Sequence, residues 1–381
     1  MINKNSFFFV YLFVWVMCSS SCQQAFQTTD GPQIIEVDIH KDTIPKFEEL
    51  FKEVRFVKLD INDENKIQKI DKLLITTDGK FIVVDKTANK LHGFTQTGEP
   101  LFSIDGKDAI QPLFNKINDA AYDREKNQLW VMDAESLALV SFTSDGKFVG
   151  KKNFEHMRSS GPNMFIAKDK ILFDRGHYMI DSNNLAMFDL ETLQPRGSYI
   201  PLFGMNLRWS NQSEGVFTEG GNTIYYIPPY GYTIYSIEGE KPQEMYRLDF
   251  KQQQPDSNLF LTGTFESQKE FHTYFTQHDL VERIYGLQST NDHLFFSFLR
   301  FGGIQHHVFF NKATQKTITF FDVSGDYYKR IWSRNIIAST DNEFIGVIDE
   351  PELALNIAVT FKFFPIKEDF NPILAIYTMN N

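Results

Sequence analysis

The 381-residue chain is nearly without cysteine: Cys18 and Cys22 are the two it has, and both lie at its very start. Everything after Cys22 therefore lacks a disulfide, a thiolate nucleophile and a cysteine metal site. Long apolar runs are also missing. Phe7–Met17 is apolar and aromatic, but its eleven residues fall short of a bilayer span. There is no basic run. Lys and Arg total 38 against 49 Asp and Glu, a formal charge of −11. That balance argues against nucleic acid as a partner and speaks mainly to solubility. No phosphate-cradling glycine loop and no Gly-x-Ser-x-Gly elbow occurs. His92, His156, His272, His278 and His293 show no zinc spacing. His306 and His307 are adjacent, and strand neighbours point to opposite faces, so they cannot share one ion.

What the chain does have begins with a targeting segment. Lys4 precedes the apolar run, and Ser19, Ser20 and Ser21 precede Cys22. The pattern reads as a signal peptide over residues 1–21 and resembles the lipobox of bacterial lipoproteins, which implies a lipidated Cys22, with 22–33 as a polar tether. A diacyl anchor on Cys22 would hold the protein to a membrane. An acidic run after Cys22 would resemble the surface-export signals of such bacterial lipoproteins; none follows, and the resemblance then implies an envelope address facing the periplasm.

Residues 34–381 read as a single domain. The chain carries 38 Phe and 15 Tyr, a bias that suits pleated, half-buried surfaces. Its organising stretch is 78–104, an apolar run ending in Asp85, a turn, a second run to Phe94 and a third after Gly98. A shift of 48 residues places Leu91, Phe94, Thr95 and Gly98 on Leu139, Phe142, Thr143 and Gly146, and Asp85 on Asp133. An all-β repeat of that period predicts propeller blades. Six units follow in order, giving an all-β, six-bladed β-propeller. The sixth is expected to use runs at 335–338, 344–348, 357–364 and 373–379. Residues 252–280 interrupt the rhythm as an insertion, with helix-compatible 267–275. An N-terminal strand should clasp the last blade; 54–59 is the first candidate and 34–39 the alternative.

With these residues in view, the chain resembles the six-bladed β-propeller lipoproteins of Bacteroidetes-type bacteria, similar in architecture to TolB-like and NHL-like propellers. The resemblance spans nearly the whole length. It rests on Cys22, on Phe47–Phe51 leading into Val54–Leu59, and on the hairpins Phe94–Gly98 and Phe142–Gly146. Thr233-Ile234-Tyr235 and the ending Asn371-Pro372-Ile373-Leu374 complete it. The family's glycine-rich segment after the first blade is replaced here by 104–114, which keeps Gly106 and Pro112. The resemblance implies an envelope address and a propeller, and no established activity.

Candidate chemistry is sparse. Asp85, Asp133, Asp174 and Asp349 each follow an apolar strand. Gathered at a funnel, such carboxylates could hold Ca²⁺ or act as an acid/base pair; singly, each would bond its own turn. The fourth and fifth blades carry Pro228 and Phe298 at the matching places. Asp174-Arg175-Gly176-His177 is the densest polar cluster on a loop edge. Tyr225, Tyr226, Tyr230 and Tyr232 surround Pro228-Pro229, either as a rim for a glycan or protein or as blade packing. The expected function is a lipid-anchored, non-catalytic binding module for a protein or glycan ligand. The alternative is a hydrolase or lyase, Ca²⁺-dependent or not, built on Asp85, Asp133, Asp174, His177 and Asp349.

Overall fold

The computed structural model describes residues 31–39, 44–60, 66–106, 113–159, 161–176, 183–201, 215–256, 259, 265–300, 303–324, 332–333, 335–350, 353–355, 357, 359 and 372–380. Cys22 and His177 lie outside them.

The chain opens with β1 (Gln33–Glu36), a single helical turn α1 (Phe47–Leu50) and β2 (Phe51–Lys58). Blade 1 follows as β3 (Lys72–Ile75), β4 (Phe81–Asp85), β5 (Lys90–Phe94) and β6 (Pro100–Asp105). Blade 2 is β7 (Asp119–Asp123), β8 (Gln128–Asp133), β9 (Ala138–Thr143) and β10 (Phe148–Asn153). Blade 3 is β11 (Asn163–Ala167), β12 (Lys170–Asp174), β13 (Asn183–Asp189) and β14 (Pro195–Pro201). Blade 4 is β15 (Phe217–Gly220), β16 (Thr223–Tyr226), β17 (Thr233–Ser236) and β18 (Gln243–Asp249). Helix α2 (Gln268–Gln277) lies in the insertion before blade 5, which is β19 (Arg283–Ser289), β20 (His293–Arg300), β21 (Ile304–Asn311) and β22 (Thr317–Phe320). Blade 6 holds β23 (Ile336–Ser339), β24 (Glu343–Ile348) and β25 (Ile373–Met379).

Blade 6 is completed by β2, which pairs antiparallel with β25, so the expected clasp closes the ring. The alternative clasp has another job. β1 runs parallel to β18 as a fifth strand on the outer edge of blade 4. One expectation is corrected: residues 357–364 were to form a strand of blade 6, yet 353–355, 357 and 359 are helical. With β2 already supplying the fourth strand, blade 6 has no place for another. Ile357 instead buries completely against Phe47, Trp332 and Ile373.

Composition explains the layering. Second strands are covered on both faces by neighbouring blades and read as unbroken apolar runs; all five residues of β4 are buried. Outer strands face water on one side, and every residue of β10 (FVGKKN) is exposed or half-buried. Phe94, Phe142 and Phe188 occupy equivalent third-strand places and are buried. The repeated turn glycines serve close approach: at Gly98, with φ +90°, a Cβ would sit 1.9 Å from the Lys58 carbonyl oxygen of the clasp strand. In the insertion, Ser267 caps α2 by accepting from Glu270 N–H, as a helix start requires.

Candidate functional site

The two sides of the ring differ. Where first strands end and second strands begin, connections are tight: two residues join β11 to β12 and β15 to β16, and three join β19 to β20. On the opposite side, where first strands begin, they are long. Residues 250–282 join β18 to β19, and 349–372 join β24 to β25. Loops positioned by a rigid scaffold are where binding residues concentrate. This loop side is also where every second strand ends, so Asp85, Asp133, Asp174 and Asp349 all stand on it.

Three of the four aspartates are spent on the fold. Asp85 is fully buried and accepts from the backbone N–H groups of Gln68 (2.6 Å), Lys69 (3.2 Å) and Ala88 (2.7 Å). Asp133 repeats this with Asn115 (2.8 Å), Lys116 (3.4 Å) and Ser136 (3.2 Å), and the Ser136 hydroxyl also donates to it. Each carboxylate ties the connection arriving from the previous blade to its own blade's next turn. Asp174 accepts from Asn163 Nδ2 (3.1 Å) and from the Tyr226 hydroxyl of blade 4 (2.8 Å). Burial, with this carboxylate beside it, pushes the Tyr226 phenol well up. Asp349 alone is exposed, at the mouth of the central channel. Among the described residues no three His, Cys, Asp or Glu side chains are grouped to hold a metal ion.

The tyrosines are packed. Tyr225, Tyr226 and Tyr230 are buried, Tyr230 edge-on against Phe271 of α2 at 5.5 Å. Tyr232 donates its hydroxyl to the Val281 carbonyl (2.8 Å). The insertion thus lies on the loop side over blade 4, and Pro228-Pro229 forms a turn beneath it.

The first strands of all six blades enclose a channel of about 370 Å³, with Lys72, Asp119, Asn163, Glu219, Tyr285 and Ala338 among its walls, one from each blade. That is within the range of small-ligand pockets. At its loop-side end Lys72 Nζ donates to Asp119 Oδ2 (2.9 Å) and to the Met164 carbonyl (3.0 Å), linking three consecutive blades. Lys86 Nζ stands 3.7 Å from the other Asp119 oxygen. Burial holds the Lys72 amine below its usual range, an effect Asp119 opposes. Towards the other end Arg124 of the blade 2 edge pairs with Glu219 of blade 4 at 3.1 Å, passing over blade 3. Burial raises the Glu219 carboxyl.

These channel charges escape a reading that looks only at second-strand ends. The repeat does contain the signal. Lys72 lies opposite Val84 and Asp119 opposite Met132, so the two hold equivalent places in neighbouring blades with opposite charge.

A propeller with this strand order, spanning the chain from β1 to β25, matches one family model over residues 32–378, that of "Domain of unknown function (DUF4934)". The chain belongs to the DUF4934 family. The DUF4934 ring is similar to a Bacteroides fragilis protein named "Putative exported protein", with a TM-score of 0.73 and 14% identity, covering 92% of this chain and all of that one. A DUF4221 family member from Bacteroides vulgatus superposes at 0.50 with 11% identity, over 87% of this chain and 98% of its own. At these identities the likeness speaks for the six-bladed fold alone. No curated protein matches the DUF4934 sequence.

Proposed function

We propose that the protein is a lipid-anchored, periplasm-facing envelope module that binds a ligand at the loop-side mouth of its channel without transforming it. The observation that carries this reading is the polarity of the ring. A ligand-sized channel with fixed charges opens among long connections, while the other side is tight turns. The Cys22 signal and the exported name of the B. fragilis relative support the envelope address. The ligand is a small molecule or the tip of a larger one, a glycan or protein segment, able to enter about 370 Å³.

Fractionated envelope glycans, peptides and small metabolites are tested for raising the melting temperature of the wild type and of Asn335→Trp. Asn335 is an exposed channel-lining residue, and the indole would fill the mouth. The expected result is at least one fraction that stabilises the wild type and not the variant. No stabilising fraction, or equal stabilisation of both proteins, overturns the reading. Separately, Cys22→Ala should move the protein from the membrane to the soluble fraction.

A further inference from the structure

Arg283 begins β19, the first strand of blade 5, on the loop side of the ring and two residues before Tyr285. Its guanidinium lies over the ring of Tyr285, with Cζ 5.0 Å from the centroid, and Tyr285 lines the channel. An aromatic face attracts a guanidinium and helps to place it. The Arg283 Nε is buried and has no hydrogen-bond partner. Five of the other described arginines hold carboxylates: Arg55 with Glu343, Arg124 with Glu219, Arg196 with Asp189, Arg247 with Glu244 and Arg300 with Asp279; Arg175 donates to the Ser198 hydroxyl. Lack of acid is not the reason, since the chain carries 49 acidic residues against 38 basic ones. The adjacent carboxylate, Glu282, is committed to His272 of α2 at 2.7 Å. A buried donor left without an acceptor calls for an explanation, and a bound group is one.

We propose that Arg283 is an oxyanion-binding residue, taking the carboxylate or phosphate of a ligand whose body lies along Tyr285 into the channel. The proposal rests on the channel being the binding site and adds the chemical class of what enters it. A planar fork with its remaining N–H donors available suits a two-oxygen acceptor, which a lysine at the same place would not match. Lys72 and Lys86 add positive charge at the loop-side end of the channel, their partner Asp119 being shared between them. Free phosphate and a sugar acid present the same chemistry, and the test separates them.

Inorganic phosphate and D-glucuronate are titrated separately, at constant ionic strength, into the detergent-solubilised full-length protein by calorimetry. At least one should bind saturably. Arg283→Gln should weaken it by on the order of tenfold or more, and Arg283→Lys by a smaller factor. Arg158→Gln, an exposed arginine between blades 2 and 3, should bind as the wild type does. Binding of phosphate alone assigns a phosphate ligand, and binding of glucuronate alone a carboxylate sugar. Arg283→Gln should also leave the melting temperature unchanged or raised without ligand, because the guanidinium it removes satisfies no protein acceptor. The proposal is overturned if neither probe binds, if Arg283→Gln binds as the wild type does, or if that variant melts markedly lower. Failure here with success of the Asn335→Trp comparison removes the oxyanion and leaves the channel site standing.

Discussion

Asp133 illustrates how a carboxylate can be structural while standing on the side of the ring that carries the long connections. Its acceptors are taken by backbone N–H groups of residues 115, 116 and 136. Asp133→Ala would remove the acceptor of these part-buried donors, at about 1–3 kcal/mol for one that stays out of reach of water. We expect a loss of about 1–3 kcal/mol in urea denaturation. Calcium or EDTA should not move the wild-type melting temperature; a calcium-dependent rise abolished by Asp133→Ala would revive a metal funnel. His92 gives a second test. It is fully buried in β5, its Nδ1 beside the Ser103 hydroxyl at 3.2 Å. Burial lowers its pKa from 6.5 to about 4. The unfolded chain therefore binds the proton more readily between those values. Stability should be unaffected above pH 6.5, fall as pH drops towards 4, and lose up to about 3 kcal/mol from this group. His92→Gln should flatten that part of the pH profile.

At the level of elements, β1 and β2 are both N-terminal strands and should fail differently. β2 closes the ring, its Val57 and the following Leu59 buried with Leu374 and Ile376. β1 and the residues just after it seal an edge, burying Ile35, Val37 and Ile39 against blades 4 and 5. A chain beginning at residue 44 should fold as a monomeric ring with a lower melting temperature, since three buried aliphatic side chains contribute about 1.5–3 kcal/mol each. A chain beginning at residue 60 should not give a cooperative transition. Circular dichroism melts and size exclusion decide; equal behaviour of the two chains would contradict the assignment.

The same contrast shows what a sequence exposes. Blades were legible because Phe94, Phe142 and their neighbours recur at fixed spacing, and the clasp because VRFVKL alternates. The partner of β1 was not, because QIIE carries no mark of a strand some 210 positions away, and parallel pairing leaves no turn to read. Residues 357–364 are apolar enough for a strand, and only a blade already filled by β2 explains why 357 and 359 are helical instead. The aspartates at second-strand ends were visible as residues; their bonds to backbone 16–18 positions upstream were not. Lys72 and Asp119 sit in short apolar strands, where a charge reads as an interruption until the neighbouring blade brings its counterpart.

For the molecule as a whole, the ring is held together by many small ties between blades, and among the described ion pairs Arg124–Glu219 is the one that skips a blade. Both side chains are partly exposed, so Arg124→Ala should cost less than about 1 kcal/mol. A fall much beyond that would show that the pair braces the channel.

The strand β1 has one more consequence, which is mechanical. If Cys22 is fixed in a membrane, any pull on the protein arrives along residues 22–33 and meets β1 before it meets β2. The β1–β18 pairing then bears the load on the rim of blade 4, and the clasp that keeps the ring closed is spared. Tearing β1 away frees residues 33–46, a slack of roughly 45–50 Å at about 3.3–3.6 Å per residue, with the six sheets still intact. A force ramp between the N-terminus and a handle on β10 should therefore show a first, short extension of about that length. Opening of the ring should follow only at higher force. β1 is, in this sense, a shock absorber placed ahead of the lock.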